Sequence, residues 1–172
     1  MSMTAGPGRG YRYYTGLPLF RFGFGLSYGA HALAKHPIDW GVCVSTGGGG
    51  TRARAAACTA RRFTVVVSNS AARDSAETVQ AYFVPPATMP ASWKAPVPAK
   101  RLIGFQKAHV AAGGGGGGGA GVPLTFVVKA RQLQLVDETG IKRDIAGATF
   151  GLVFTNGDGE TVEGSFEIEG GL

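Results

Sequence analysis

The chain has 172 residues, of which 44% are hydrophobic, so it is long enough to bury a core and is not disordered throughout. Its net charge of +6 favours a solvated basic surface over a binding site for nucleic acid or acidic polysaccharide, because most of the 17 basic side chains are scattered. We expect no membrane span, since no run of about 18 apolar residues occurs, and the first residues do not have the pattern of a secretory signal.

The first 28 residues contain an aromatic-rich segment without helical or strand periodicity. Glycines and one proline interrupt it, and these residues break the hydrogen-bond ladder of a strand. We therefore expect residues 1–28 to lie outside the folded core as irregular coil, with several aromatic rings exposed. Exposed apolar patches of this kind usually mark a partner. The candidate docking surface consists of seven aromatic residues: Tyr11, Tyr13, Tyr14, Phe20, Phe22, Phe24 and Tyr28.

From residue 31 onward, short β-branched and aromatic runs alternate with turn residues. In residues 77–84, Val79, Ala81 and Phe83 are expected to share one face of a strand. Asn156 to Gly159 reads N-G-D-G, a hairpin signal. The predicted strands cover residues 31–45, 63–67, 77–84, 102–110, 122–130, 149–155 and 161–168, with a short edge strand at 141–145. This pattern predicts an all-β, immunoglobulin-like sandwich.

Two glycine tracts, at positions 47–50 and 113–119, fall between predicted strands. Glycine runs have no side chains to pack, so we interpret both as loop insertions. The tract at 113–119 is not followed by the lysine and hydroxyl residue of a phosphate-binding loop. Gly23-Phe24-Gly25 begins like a dinucleotide fingerprint, but Tyr28 stands where the third glycine belongs. The sequence therefore predicts no cofactor site.

Cys43 and Cys58 bracket the first glycine tract. They form no Cys-x-x-Cys pattern and have no nearby histidine pair, so a zinc site is not predicted. A disulfide between them would close the loop, but two unpaired thiols is the interpretation we favour, since spacing alone does not establish pairing. The three histidines, His31, His36 and His109, lack metal-ligand spacing, and His109 is expected on a strand surface. We predict no metal site.

Acidic side chains crowd the last predicted hairpin. They are Asp158, Glu160, Glu163, Glu167 and Glu169. A glycosidase needs two carboxylates facing one sugar, with one of them held protonated. Alternating acids on an exposed hairpin more often form a solvated edge that resists aggregation. Trp93, in a proline-rich loop, is expected either to stack on a sugar ring or to cover the core. No catalytic residue is predicted.

Several motifs resemble one known family in their order along the chain. Y-R-Y-Y-T-G at 11–16 and F-G-F-G-L-S-Y at 22–28 look like the segment that leaves the second catalytic domain of glycoside hydrolase family 3 enzymes. E-T-V-Q-A-Y at 77–82, the stretch P-A-K-R-L-I-G-F-Q-K-A-H-V at 98–110 and L-Q-L-V-D-E-T-G at 133–140 resemble the fibronectin type III-like C-terminal domain of these enzymes. The chain is most similar to the plant-type β-xylosidase/α-arabinofuranosidase branch.

The resemblance implies a tail at residues 1–30 and a fibronectin type III-like domain at 31–172. The catalytic carboxylates of such enzymes belong to two other domains, so no family catalytic residue maps onto this chain. The implied partners are the catalytic domains of a parent enzyme, expected to be extracellular and to act on xylosides or arabinosides, with a polysaccharide as a second partner. The alternatives are a stand-alone carbohydrate-binding or adhesion module and an inactive truncated product.

Overall fold

The computed structural model describes residues 2–25, 27–44, 58–113 and 121–168. Within these ranges the chain is almost entirely β, which confirms the predicted fold class. The strands are β1 His31–Cys43, β2 Ala60–Asn69, β3 Ser75–Val84, β4 Arg101–Val110, β5 Val122–Lys129, β6 Leu135–Val136, β7 Lys142–Arg143, β8 Thr149–Thr155 and β9 Thr161–Glu167. The helical elements are a single turn, α1 Gly10–Tyr13, and a 3-10 turn at Ala130–Gln132.

The strands form two antiparallel sheets that face each other as a sandwich. One has three strands in the order β1-β2-β5, and the other has four in the order β4-β3-β8-β9. The chain changes sheet between β2 and β3 and returns with β5, which pairs with β2 rather than with β4. The short strands β6 and β7 pair with each other in the connection to β8.

The core lies between the sheets and follows the alternation of apolar residues. In β2, Phe63, Val65 and Val67 point inward, and in β8 Phe150, Leu152 and Phe154 do the same. The Phe154 ring lies 5.7 Å from that of Phe63 and 5.2 Å from that of Phe126. Each fully buried side chain of this size contributes about 1.5 to 3 kcal/mol.

Strand β3 is buried on both faces. Val79, Ala81 and Phe83 share the inner face, as predicted, but Gln80 and Tyr82 on the outer face are also buried. The N-terminal segment covers that outer face: the ring of Tyr11 lies edge-on to that of Tyr82, with 5.8 Å between centroids. The sandwich therefore carries a partial third layer.

Two expectations are corrected by the structure. Gly10–Tyr13 forms a helical turn and is not irregular coil. Cys43 and Cys58 are joined in a disulfide with their Cα atoms 5.7 Å apart, so the interpretation as unpaired thiols was wrong. The cause is register: Cys43 lies opposite Arg61 in the antiparallel pair β1–β2, which brings the chain just before β2 within bonding distance.

Some predictions lie outside the described residues. These concern the tract at 47–50, most of the tract at 113–119, and Glu169 at the chain end. In the part of the chain that the structure describes, no helix has the length and apolar character needed to cross a membrane.

Candidate functional site

The N-terminal segment is held against the four-stranded sheet by backbone and ring contacts. The amide of Ala99 donates a hydrogen bond to the carbonyl oxygen of Arg12 at 2.6 Å, and the amide of Leu102 donates to the hydroxyl of Tyr11 at 3.3 Å. The Tyr11 ring also stacks on Phe22, with the centroids 4.6 Å apart. Tyr11 thus anchors the segment to the sheet.

A second anchor depends on glycine. Gly23 has a φ of +91°, and a Cβ atom there would lie 2.5 Å from the side-chain amide of Gln80. Gly157, in the β8–β9 turn, has a φ of +81°, and a Cβ there would lie 2.6 Å from the carbonyl carbon of Gly23. Three chain segments therefore meet at a point where side chains do not fit.

The seven predicted docking residues divide into two groups. Tyr11 and Tyr13 are half-buried. The other five are exposed: Tyr14, Phe20, Phe22, Phe24 and Tyr28. Sequence reasoning missed Leu17 and Leu19, which are 96% and 97% exposed. The sequence could have indicated them, because both residues flank Pro18 in the segment whose lack of periodicity predicted exposed aromatic rings.

We call Leu17, Leu19, Phe20, Phe22 and Phe24 the apolar face. The rings of Phe20 and Phe24 are 5.2 Å apart. Beside them, a concave region of about 500 Å³ is lined partly by Tyr11, Tyr14, Pro18, Arg21 and Lys100. The arrangement combines exposed apolar groups with two cations, so it suits a partner that offers apolar side chains and acceptor oxygens.

Burial changes the titration of groups beneath the segment. Desolvation, aided by Tyr11, raises the pKa of Tyr82 to about 12. The Tyr82 hydroxyl donates to the side-chain oxygen of Gln80 at 2.8 Å, and the ammonium of Lys100 lies 4.6 Å above its ring. Desolvation, with the charge of Arg21, lowers the pKa of Lys100. Tyr82 remains neutral and hydrogen-bonded at physiological pH.

A buried polar network ties the two sheets together. The hydroxyl of Ser75 lies 2.9 Å from Nε2 of His31, and Nδ1 of His31 lies 2.9 Å from Oε2 of Glu77. Serine, histidine and carboxylate follow one another here as in a hydrolase triad. However, a Cβ at Gly29 would lie 2.2 Å from both Ser75 and His31, so the backbone closes over the hydroxyl. We conclude that the network is structural.

The remaining predicted residues have structural or surface positions. Trp93 packs against the core and its indole nitrogen donates to the carbonyl oxygen of Ala95 at 3.0 Å, as one of its two interpretations predicted. His109 is exposed on β4, as predicted. Four hairpin acids form the expected solvated edge: Asp158, Glu160, Glu163 and Glu167. Among the described ranges, no group of three or more histidine, cysteine or acidic side chains could hold a metal ion.

Asp39 and Asp137 each organise a local hydrogen-bond cluster. Asp39 accepts from the hydroxyl of Thr64 at 2.6 Å, which lowers the pKa of its carboxyl, with a further contribution from Arg62. Asp137 accepts from the hydroxyl of Thr139 and from Arg143, and these bonds hold the pKa of Asp137 well below its usual value. Both carboxylates are therefore ionised acceptors rather than proton donors.

No protein-family model matches the chain. Similar proteins are nevertheless found. β-D-xylosidase 1 of Arabidopsis thaliana is 31% identical over 153 residues, which cover 80% of this chain and 19% of that protein. A probable β-glucosidase J of Aspergillus fumigatus is 36% identical over 122 residues, which cover 67% of this chain and 12% of that protein. The chain thus spans about a fifth or less of the length of these curated relatives.

Solved structures agree with these relatives. A β-glucosidase from Streptomyces venezuelae, crystallised with D-glucose, is 27% identical with a TM-score of 0.63, and the match covers 88% of this chain and 16% of that one. A GH3 β-glucosidase of Bifidobacterium adolescentis matches in fold, with a TM-score of 0.60 at 21% identity, over 86% of this chain and 18% of its own. The chain therefore matches only a small part of each of these glycoside hydrolases.

Proposed function

We propose that this chain is the non-catalytic, fibronectin type III-like C-terminal domain of a glycoside hydrolase family 3 enzyme. We assign the parent enzyme to the plant-type β-xylosidase/α-arabinofuranosidase branch, which acts on xylosides and arabinosides outside the cell. The observation that carries the proposal is the 153-residue match to a plant β-xylosidase of which it covers 19%. Two of the family-like motifs, at 77–82 and 98–110, form the neighbouring strands β3 and β4 of the four-stranded sheet, which supports the proposal.

The role of the domain is to brace the catalytic part of the enzyme. The apolar face supports this role, because Leu19 and Phe20 are 97% and 72% exposed and lie in a segment anchored to the sheet. Large apolar side chains clustered in this way usually contact a partner. The relatives are five or more times longer than the matched part. We therefore assign the catalytic domains of the parent enzyme as the partner that covers the apolar face.

A chimera tests this role. The segment of β-D-xylosidase 1 that matches this chain is replaced by the chain itself, and hydrolysis of an aryl xyloside and the melting temperature are measured. We expect a folded, active chimera. The double variant Leu19→Ser, Phe20→Ser is expected to lower the melting temperature of the chimera by several degrees, since a patch that is buried in the complex has been made polar. The same variant in the isolated chain should change stability by less than about 0.5 kcal/mol.

Ile38→Ser is the matched control, because Ile38 is 84% exposed on β1 and lies outside the apolar face. It should leave the chimera unchanged. If the double variant is as stable and active in the chimera as the unchanged segment, the bracing role is wrong. Hydrolysis of aryl xylosides or arabinosides by the isolated chain would contradict the non-catalytic assignment.

A further inference from the structure

A second concave surface lies at an edge of the sandwich, where β1 of the three-stranded sheet passes close to β9 of the four-stranded sheet. Its volume is about 520 Å³, and it is lined by Lys35, Trp40, Gly41, Arg61, Phe63, Glu163, Gly164 and Ser165. None of these residues lines the concave region beside the apolar face. We call it the Trp40 cleft, and nothing in the proposed bracing role uses it.

The indole of Trp40 is held in one orientation. Its ring lies edge-on to Phe63 at 5.3 Å and to Phe154 at 5.4 Å, both in the core. Gly164 makes room for it, since a Cβ there would lie 3.2 Å from the indole. The ring is half-buried, and the ammonium of Lys35 lies 5.4 Å from its centroid. A fixed, partly exposed indole offers a flat apolar surface on which the C–H face of a pyranose ring can pack.

Two cations beside the indole have unused hydrogen-bonding capacity. Arg61 donates one bond from Nη1 to the carbonyl oxygen of Gly41 at 3.1 Å, and its guanidinium lies 5.5 Å from the centroid of Phe166. Its Nε is buried and has no acceptor within the described ranges. Because that nitrogen has no accessible surface, a ligand in the cleft would bond to the terminal nitrogens of the guanidinium, Nη1 and Nη2.

The other polar groups of the cleft limit what that acceptor belongs to. Glu163 and Ser165 lie on β9 and are exposed, so they can bond to hydroxyl groups. Two cations next to one carboxylate are too few to hold a phosphate backbone, which needs several positive contacts. A guanidinium instead binds a single carboxylate through two parallel hydrogen bonds. The chemistry required is a sugar ring that carries one carboxylate and several hydroxyls.

We infer that the Trp40 cleft binds a hexuronic acid residue of an acidic polysaccharide, a local site that the scattered charge of the sequence did not predict. The pyranose ring packs on Trp40, and its carboxylate accepts hydrogen bonds from Arg61 and Lys35. Glu163 and Ser165 bond to the ring hydroxyls. Lys35 leaves the indole face when the sugar arrives, and its ammonium exchanges a weak interaction with the ring for a charge-assisted hydrogen bond.

Titration calorimetry and the two indole N–H resonances of the full chain test this site. The probes are tetragalacturonic acid and xylotetraose, which differ in charge. Trp93→Phe assigns the resonance of Trp40. We expect the uronate to bind and to shift the Trp40 resonance, and we expect xylotetraose to bind at least about tenfold more weakly. Raising the salt concentration should weaken the uronate complex.

Variants locate the site. Lys35→Gln and Arg61→Gln should each reduce uronate affinity by about tenfold, as expected for loss of one charge-assisted contact. Lys107→Gln is the matched control, since Lys107 is an exposed cation on β4, outside the cleft, and its loss should change nothing. Circular dichroism checks folding. If Arg61→Gln does not fold, the uronate affinity of Lys35→Gln is the deciding measurement, because Lys35 is exposed.

Several results would overturn the inference. They are absence of uronate binding, equal binding of the two probes, and unchanged affinity in the Lys35 variant. A fourth is a sulfated glycan that binds as tightly as the uronate without shifting the Trp40 resonance, because this would show binding to the general positive charge of the chain.

Discussion

The core and the apolar face contain the same kinds of residue, but these residues are buried in the core and exposed on the apolar face. In the core, Phe63 and Phe154 occupy alternate positions of strands and are fully buried. In the N-terminal segment, Phe20, Phe22 and Phe24 are also spaced two apart, yet all three are exposed. The segment turns at Gly23, with a φ of +91°, so it cannot pair as a strand. Alternation buries a residue only where the backbone can extend and join a sheet.

The sharpest test of this comparison is to truncate one ring from each region of the isolated chain. Phe154→Ala should lower the free energy of unfolding by about 3 to 5 kcal/mol, because it leaves a cavity beside Trp40, Phe63 and Phe126. Phe20→Ala should change it by less than about 0.5 kcal/mol. Urea denaturation measures both. Comparable losses of unfolding free energy in the two variants would mean that the apolar face packs against this chain itself and is not a free surface for a partner.

The disulfide offers a stabilising effect that owes nothing to packing. The double variant Cys43→Ser, Cys58→Ser should lose about 3 kcal/mol, as expected for opening a loop with a sequence separation of 15. The expected loss lies mainly in the unfolded state, so reduction of the unmodified chain should have the same effect. A thermal melt with and without reductant is sufficient. A shift of less than about 2 °C would show that the bond contributes little.

Glycine substitutions probe the contact between the two regions. Gly157 and Gly140 have nearly the same φ, +81° and +83°, but a Cβ atom added at Gly140 would have no neighbour within 4 Å, whereas one added at Gly157 would meet Gly23. Gly140→Ala should cost about 1 kcal/mol from backbone strain alone. Gly157→Ala should cost about 2 to 3 kcal/mol, since the added methyl group also displaces the segment.

The rate of trypsin cleavage after Arg21 is a second measurement that compares Gly157→Ala with Gly140→Ala. Cleavage should be faster in the Gly157 variant than in the Gly140 variant, because only the former loosens the segment. Equal cleavage rates in the two variants would show that the segment is not held at this point.

A smaller effect than that of Gly157→Ala depends on pH and concerns Tyr82, whose pKa is raised from 10.0 to about 12 by burial. Above pH 10 the unfolded chain releases this proton while the folded chain keeps it, so the contribution of Tyr82 to stability is fully present below pH 10 and is lost as pH rises toward 12. The loss from this residue between pH 9 and 11 should be about 1.4 kcal/mol. Urea denaturation of Tyr82→Phe should show a decline that is smaller by that amount. An identical decline would mean that Tyr82 is accessible to water.

Most of the sandwich could be predicted because its signals are local. The strand at 149–155 was predicted with its observed bounds, and the hairpin that follows it rests on a four-residue turn. Burial of Tyr82 and Gln80 could not be predicted, since it depends on contacts with Tyr11 and Gly23, which are distant from them in the sequence. The disulfide depends on the register of β1 and β2 for the same reason.

The candidate sites show the same division between local and long-range information. Five of the seven candidate docking residues are exposed, as expected for a segment that lacks strand or helix periodicity, but Tyr11 and Tyr13 are half-buried. Their role in docking stays a prediction. The Trp40 cleft was missed because Lys35, Arg61 and Glu163 come from three strands that meet only in the folded chain. Sequence reasoning examined Trp93 as the sugar-stacking candidate, since it lies in a loop, but the structure places it over the core.

Burial of β3 on both sides affects where the domain can be cut. A protein engineer who starts the domain at residue 31 keeps every long strand of the sandwich but removes the cover of Tyr82 and Gln80. The shortened protein would expose the ring of Tyr82 and the side-chain amide of Gln80 in the middle of its four-stranded sheet, and the uncovered ring would favour self-association. A start before α1 keeps these side chains covered, so the smallest well-behaved unit includes the segment that the sequence analysis separates from the domain as a tail.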